Sequence, residues 1–339
     1  IRWDKTFTQL IFTKVELIIE VMRMVEIRQE AYESSSGRCD IHAVVWMPDS
    51  DKYDKPVGVI QIAHGMIDHI ERFNEMAMYF ANRGYVVAGN DHLGHGDSVA
   101  SKADWGYFDD SVSPDESAMY LILDMHRLTR IMKKKFPELP YIIMGHSMGS
   151  YMLRRYLMKY GSDVDAAVIL GTGNQSMVVV EAGILAAKAV LRTKGDRYRS
   201  KALSKLMFGT YNARIESPKS ANEWISRDEA IVDAYDSDEK CSFMFTPNAY
   251  LGFLNIIKYD IQEKNVAKTP ADLPVLFASG LADPVGNYGK DVKKAYMMYT
   301  RHLNDVELRL YEDCRHELHS EQNRDEIFED IYDWIKEHV

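Results

Sequence analysis

The sequence predicts an α/β protein with a mostly parallel central sheet and helices on both of its faces. Along most of the 339 residues, short β-branched runs alternate with longer stretches in which apolar residues recur at helical spacing. The strand-like runs are apolar throughout, which is typical of parallel strands that helices cover on both sides. A third observation is a Gly-x-Ser-x-Gly pattern around Ser147, placed where one such strand ends and a helix begins.

The first half of the chain accounts for most of the predicted sheet. Strand-like alternation begins at Met24, and turn residues bound the later strands, which we predict at 38–48, 56–65, 85–89, 141–145 and 165–170. The helices between them are predicted at 73–84, 114–135 and 148–160. The second of these begins with a capping box, Ser113–Glu116, in which proline takes the first helical position.

The alternation stops between residues 175 and 259. This segment is rich in Met, Tyr and Phe, has helix-like stretches such as 180–191, and shows no clear strand. We therefore predict a helical insertion at 175–259 within a core formed by 24–174 and 260–339. The core resumes with strands at 273–280 and 306–311, a helix near 290–299, and a last helix whose apolar side carries Ile327, Ile331, Trp334 and Ile335. Residues 1–23 are predicted to be an N-terminal extension.

The composition indicates which kinds of protein and which cellular compartments are compatible with the sequence. A net charge of -10 argues against a nucleic-acid-binding surface, which usually needs a basic face. The cysteines, Cys39, Cys241 and Cys314, are odd in number and far apart, which favours a reducing compartment over a disulfide framework. Lys14 and Glu16 interrupt the apolar N-terminal stretch, so we expect neither an export signal nor a membrane span. The expected location is cytoplasmic.

The Gly-x-Ser-x-Gly pattern predicts a nucleophile elbow with Ser147 as the nucleophile, because so sharp a turn leaves no room for side chains beside the serine. A serine hydroxyl needs a base, and the base needs an orienting acid. In hydrolases with a nucleophile elbow, the catalytic residues follow the order Ser, then Asp or Glu, then His along the chain, and each comes after a strand. Asp283 follows the strand at 273–278 and His316 follows the strand at 306–311. We predict that Ser147, Asp283 and His316 form a catalytic triad.

Other residues compete for the acid and base roles. His319 is three residues beyond His316 but stands nearer the start of the last helix. Asp291 and Asp305 flank the next helix and strand, where solvated surface charges are expected. Glu317 is expected to be a carboxylate at the start of a helix.

A tetrahedral intermediate also needs two backbone N–H donors. One is expected from Met148, the residue after the nucleophile, and the other from Met66, which follows the His-Gly pair at the end of an earlier strand. His92 and His95 stand among glycines in "NDHLGHGDS", without a clustered carboxylate or cysteine at ligand spacing. We therefore predict no metal there, and a structural loop that braces the site.

Five segments together resemble a known family. They are "HGMIDHIERF", "NDHLGHGDS", "GHSMGS", "SGLADPVG" and "RHELHSEQNR". In this order they are similar to α/β-hydrolase fold serine hydrolases of the monoacylglycerol lipase and lysophospholipase type, also called the serine aminopeptidase S33 or hydrolase-4 group. The stretch at 208–250 resembles the insertion of a bacterial branch of this group. The resemblance covers most of 55–339 and implies the α/β-hydrolase fold.

The resemblance also implies roles for individual residues. The catalytic triad falls on Ser147, Asp283 and His316, and the oxyanion amides fall on Met66 and Met148. Two positions depart from the family pattern without touching these five residues. They are Cys314, where a small residue is common, and Asp68, where glutamate is usual.

The expected function is a serine esterase that cleaves carboxylic esters of single-chain acyl lipids through an acyl-enzyme, without a cofactor. The partner is a small-molecule acyl ester, the insertion is the lid, and contact with a membrane or lipid aggregate is at most peripheral. One alternative is a short-chain carboxylesterase. A second is an aminopeptidase or amidase in which Glu181, Glu216 and Glu223 hold a substrate amine. A third is a binding protein on an inactive hydrolase scaffold.

Overall fold

A computed structural model describes residues 25–339, which form one eight-stranded sheet with helices packed against it. The extension predicted at 1–23 lies outside the described residues. The strands are β1 (Glu26–Glu33), β2 (Asp40–Met47), β3 (Gly58–Ala63), β4 (Tyr85–Asn90), β5 (Tyr141–His146), β6 (Ala166–Leu170), β7 (Val275–Gly280) and β8 (Val306–Tyr311).

The sheet is parallel except at one edge. Its strands lie in the order β1-β2-β4-β3-β5-β6-β7-β8. β2 is antiparallel to β1 and β4, whereas every neighbouring pair from β4 to β8 is parallel. All residues of β3 to β7 are buried, as their largely apolar composition predicts. The predicted fold class is confirmed.

Helices cover both faces of the sheet and enclose two hydrophobic cores. One core joins the helices at 114–135 and 148–160 to residues such as Val59 and Ile143, and the other joins the helices at 74–81 and 324–338 to Ile60 and Ile142. Alternate residues of one strand thus face opposite cores. The helices are α1 (Asn74–Ala81), α2 (Pro114–Lys135), α3 (Met148–Tyr160), α4 (Met177–Lys194), α5 (Lys201–Phe208), α6 (Glu229–Ser237), α7 (Pro247–Asp260), α8 (Glu263–Val266), α9 (Lys290–Tyr299) and α10 (Arg324–His338).

The start of α2 shows how the sequence fixes a helix boundary. The Ser113 hydroxyl accepts a hydrogen bond from the Glu116 N–H at 3.3 Å, and the Glu116 carboxylate accepts one from the Ser113 N–H at 3.0 Å. The predicted capping box is confirmed, with Pro114 at the first helical position.

Between β6 and β7 the described chain is helical and contains no strand. The helix α7 anchors this stretch to the core, because a Cβ at Gly252 would lie 2.8 Å from the Ala118 Cβ of α2. In turn α4 packs on α7, where a Cβ at Gly183 would lie 3.3 Å from Leu254. Within residues 25–339, every helix is too short or too polar to cross a membrane.

A buried carboxyl group ends α7. Both carboxylate oxygens of Asp260 lack a hydrogen-bond partner among residues 25–339. The neighbouring Arg154 donates instead to the Asp260 backbone carbonyl, at 3.1 Å. Burial raises the pKa of Asp260 to about 8, although Arg154 opposes the shift.

This raised pKa makes stability depend on pH. The unfolded chain loses the Asp260 proton near pH 4, whereas the folded protein holds it until about pH 8. The contribution of Asp260 to stability is therefore complete below pH 4 and is lost as pH rises to about 8, by roughly 1 kcal/mol per pH unit. Asp260→Asn should remove this slope in urea-unfolding free energies measured from pH 5 to 8, and Asp51→Asn, at an exposed position, should keep it. Equal slopes in the wild type and Asp260→Asn would contradict the assignment.

Candidate active site

Ser147 occupies the turn between β5 and α3 in a strained backbone conformation, with φ 53° and ψ -119°. Its N–H donates to the Leu170 carbonyl at 3.0 Å. A Cβ at Gly149 would lie 2.2 Å from the Ala63 oxygen, and one at Gly145 would lie 2.4 Å from the Gly149 oxygen. Close packing therefore requires both glycines. Ser147 itself stays partly exposed where β5 ends.

Asp283 and His316 meet at the same edge of the sheet. Asp283 is fully buried after β7, and its Oδ2 lies 3.0 Å from Nδ1 of His316, which follows β8. The contact is bent away from a straight hydrogen bond. The carboxylate also accepts the Val285 N–H at 2.8 Å and the Ser279 hydroxyl at 3.3 Å. These contacts fix the carboxylate with one oxygen directed at the imidazole.

The loop that carries His316 packs on the strand ends beside Ser147. A Cβ at Gly280 would lie 1.9 Å from the Cys314 oxygen, and one at Gly171, after β6, would lie 3.1 Å from His316 Cε1. Nε2 of His316 is buried and has no hydrogen-bond partner within the described part of the chain. The imidazole thus faces the Asp283 carboxylate with Nδ1 at 3.0 Å, whereas Nε2 contacts no polar group of the described residues.

The loop after β3 approaches the serine from the other direction. A Cβ at Gly65 would lie 3.3 Å from the Ser147 Cβ. The Asp68 carboxylate accepts the Gly65 N–H at 3.3 Å and so closes this loop. Among residues 25–339, the N–H groups of Met66 and Met148 donate to no other group. Within the described part of the chain, both amides predicted for the oxyanion therefore lack another acceptor.

The competing acids and base have other partners. Asp291 pairs with Lys294 at 2.7 Å, and Asp305 lies 3.3 Å from His338. His319 is stacked on an aromatic ring at 4.0 Å between centroids, and burial lowers its pKa well below the usual value. These three residues therefore take no part in the contact between Asp283 and His316.

The loop with His92 and His95 packs behind the Gly65 loop. The His92 N–H donates to Nε2 of His64 at 3.0 Å, and Nε2 of His92 lies 3.1 Å from the His64 carbonyl oxygen. Burial lowers the pKa of His92 to about 4 and that of His95 to about 3, so both rings stay neutral. Neither ring belongs to a group of potential metal ligands in residues 25–339.

A buried ion-pair network joins the Gly65 loop to the His316 loop. Arg72 donates to Asp68 at 2.8 Å and to both oxygens of Glu317 at 2.9 and 2.6 Å. Although burial opposes it, the Arg72 guanidinium holds the pKa of Asp68 well below the usual value. The ring of Tyr235, from α6, lies 4.7 Å from the guanidinium, and its hydroxyl donates to the Ile67 carbonyl at 2.9 Å. Sequence patterns did not single out Arg72 or Tyr235.

Removing Arg72 should destabilise the protein strongly. Arg72→Met leaves two buried carboxylates without their counter-ion, which costs about 3–5 kcal/mol. Arg83→Met is the matched control, because its pair with Glu329 is half exposed and should contribute less than about 1 kcal/mol. Urea unfolding at neutral pH measures both. Similar losses in the two variants would contradict the assignment of Arg72 to a buried network.

The segment between β6 and β7 forms a wall of the same site. The Trp224 ring lies 5.0 Å from the His316 ring, and its carbonyl accepts the His316 N–H at 3.3 Å. Tyr211 packs on Trp224 at 4.8 Å between ring centroids. A cavity of about 650 Å³ borders these loops, with Tyr211 and Arg315 in its lining, but Ser147 does not line it. Sequence reasoning did not find Trp224.

The sequence matches a known protein family and is similar to known lipases. A family model described as serine aminopeptidase S33 matches residues 54–323. A monoacylglycerol lipase of Mycolicibacterium smegmatis is 26% identical over 296 residues, covering 87% of this chain and 92% of the relative. The human monoglyceride lipase is 24% identical, with 84% and 86% of the two chains covered.

Solved structures show the same likeness. A thermostable carboxyl esterase from Bacillus coagulans has a TM-score of 0.83 at 27% identity, covering 92% of this chain and 98% of that one. A soluble variant of the monoglyceride lipase from Saccharomyces cerevisiae has a TM-score of 0.70 at 17% identity, with 93% and 96% covered. At 17% identity, the similarity to the Saccharomyces cerevisiae structure concerns the fold alone.

Proposed function

Since the chain belongs to the serine aminopeptidase S33 family and has the α/β-hydrolase fold, we propose that it hydrolyses carboxylic esters of single-chain acyl lipids, of the monoacylglycerol or lysophospholipid type. The observation that carries the proposal is the 3.0 Å contact between Asp283 and His316, at the sheet edge where Ser147 stands at positive φ. The relatives named as monoacylglycerol lipases support the substrate class.

In the proposed mechanism Ser147 Oγ attacks the ester carbonyl carbon while His316 Nε2 takes the hydroxyl proton. The bond to the leaving alcohol then breaks, and His316 returns the proton to the alcohol oxygen. A water molecule, deprotonated by His316, attacks the acyl-enzyme and releases the carboxylic acid and free Ser147. Asp283 orients the imidazole and stabilises its charged form.

The free amides of Met66 and Met148 would stabilise the negative oxygen of each tetrahedral intermediate. They are backbone groups, fixed by the loop contacts of Asp68 and by the start of α3. Fixed donors of this kind need little rearrangement when the charge develops.

Residues 175–259 are proposed to be the lid. They place Trp224 against His316, and α4 exposes apolar side chains such as Val178, Val179 and Leu185, which are 79%, 61% and 67% accessible. An exposed apolar face suits contact with a lipid aggregate or a membrane surface. The three cysteines are free, which accords with the proposed cytoplasmic location.

An amine-binding site finds less support. Glu181 pairs with Lys258 at 2.6 Å and Glu223 with Arg315 at 3.4 Å, so both carboxylates already have a cation. Such pairing leaves these two residues little charge to hold a substrate ammonium, and only the third, Glu216, lines the cavity of about 650 Å³. We therefore favour esters over aminoacyl substrates.

A hydrolysis profile tests the proposal. Purified protein is assayed with 4-nitrophenyl esters of increasing chain length, with monoacylglycerols and lysophosphatidylcholine, and with aminoacyl arylamides. We expect long single-chain esters to be cleaved and arylamides to be left intact. Cleavage of the arylamides alone would favour the aminopeptidase alternative, and cleavage of the shortest esters alone would favour the short-chain carboxylesterase.

A further inference from the structure

We propose that His69, Asp238 and Cys241 form a binding site for a borderline-soft divalent cation such as Zn²⁺. One ligand atom of each residue lies within 4.8 Å of the other two. His69 and Cys241 are buried, at 6% and 5% exposure. A nitrogen, a carboxylate oxygen and a sulfur form a donor set that Zn²⁺ commonly takes, with water as a fourth ligand. This site is separate from the proposed ester hydrolysis.

The His69 ring supplies an independent sign of a missing partner. Its Nε2 lies 2.8 Å from Asp238 Oδ2. Nδ1 is buried and has no hydrogen-bond partner in residues 25–339. A cation bound at Nε2 would place the proton on Nδ1, which faces the Glu71 carboxylate 3.9 Å away. Metal-binding histidines usually direct their other N–H at such a carboxylate.

Cys241 is suited to bind a metal as a thiolate. It is a free, buried cysteine, and its sulfur lies within 4.8 Å of a ligand atom of each of the other two residues. On binding Zn²⁺, the S–H bond breaks, the sulfur donates its pair to the metal, and the proton passes to solvent.

The charges around the three residues favour a cation. Asp68 and Glu317 share the single positive charge of Arg72. Lys240 in turn lies 3.6 Å from Glu71 and 2.7 Å from Asp97. Arg72 with its two carboxylates, and Lys240 with Glu71 and Asp97, thus each carry a net charge of about -1. Ligand atoms of a tetrahedral zinc site lie about 3.3–3.8 Å apart. On binding, His69 Nε2 and Asp238 Oδ2, now 2.8 Å apart, would therefore separate by about 0.5 Å to admit the cation between them.

The position gives the site a structural consequence. His69 directly follows Asp68 in the loop that reaches Ser147, whereas Asp238 and Cys241 belong to the segment proposed as the lid. A shared cation would hold that segment against the loop, alongside the Tyr235 contact with Ile67.

Cobalt(II) titration of the chelator-treated protein tests the site directly. We expect one equivalent of Co²⁺ to give a near-ultraviolet thiolate charge-transfer band, and Zn²⁺ to displace the Co²⁺ and raise Tm. Cys241→Ser should abolish the band and weaken Zn²⁺ binding by at least about tenfold. Cys39→Ser, a matched change at a partly buried cysteine elsewhere, should keep both signals.

A second variant tests the proposal even if Cys241→Ser fails to fold. Glu71→Gln should keep the band and weaken Zn²⁺ binding by about tenfold, because it leaves the three ligands in place and removes the carboxylate that faces Nδ1. Absence of a thiolate band in the Co²⁺-saturated wild type would overturn the proposal, as would a band that survives in folded Cys241→Ser. Since the readout is spectroscopic, it stands whether or not the protein hydrolyses esters.

Discussion

Ser147→Ala should lower kcat for a cleaved ester by about a million-fold, as removal of an activated serine does in other serine hydrolases. The variant keeps the elbow glycines and the Asp283–His316 contact, so only the nucleophile is lost. Fluorophosphonate labelling followed by peptide mass spectrometry gives a second measurement. The wild type should be labelled on the peptide that contains Ser147, and the variant should not be labelled.

Ser150→Ala is the matched control for this experiment. Ser150 lies at the start of α3, and its hydroxyl donates to the Ser147 carbonyl at 2.6 Å. Loss of that bond should change kcat by less than about tenfold. Full esterase activity in Ser147→Ala would refute the mechanism. An unlabelled but folded wild type would instead favour a binding protein on an inactive scaffold.

Asp283→Asn should lower kcat by about ten-thousand-fold with little change in Tm. An amide in this place keeps the shape of the carboxyl group but no longer fixes the tautomer of His316 or stabilises its charged form. The residue also accepts the Val285 N–H at 2.8 Å, a bond that the Asn carbonyl oxygen can still make. The fold should therefore survive while the chemistry fails.

Asp291→Asn controls for the loss of a buried carboxylate. Asp291 is 7% exposed and pairs with Lys294 instead of a histidine. Its variant should retain kcat within a few-fold, as measured under the same assay conditions. If both variants lost activity equally, the acid would have to be reassigned.

Local sequence signals identified the elements that local physics decides. Apolar runs and a capping box marked β3 to β7 and α2, since a strand covered on both faces and a helix start each impose a pattern on neighbouring residues. The order Ser147, Asp283, His316 followed from strand ends, and these roles stay predictions until tested. The sequence did not identify Arg72. An Asp and an Arg at i,i+4 spacing, such as Asp68 and Arg72, form the same sequence pattern whether their salt bridge lies on the surface or in a core.

The sequence by itself determined the fold class, because apolar periodicity and turn residues depend only on residues that are close together in the chain. Only the tertiary structure decided the contacts between distant segments. It set Arg72 against Glu317, 245 positions away, placed Trp224 on His316, and brought His69 to Asp238 across 169 positions. No periodicity encodes such pairs, since they depend on which loops meet at one edge of the sheet after the core has packed.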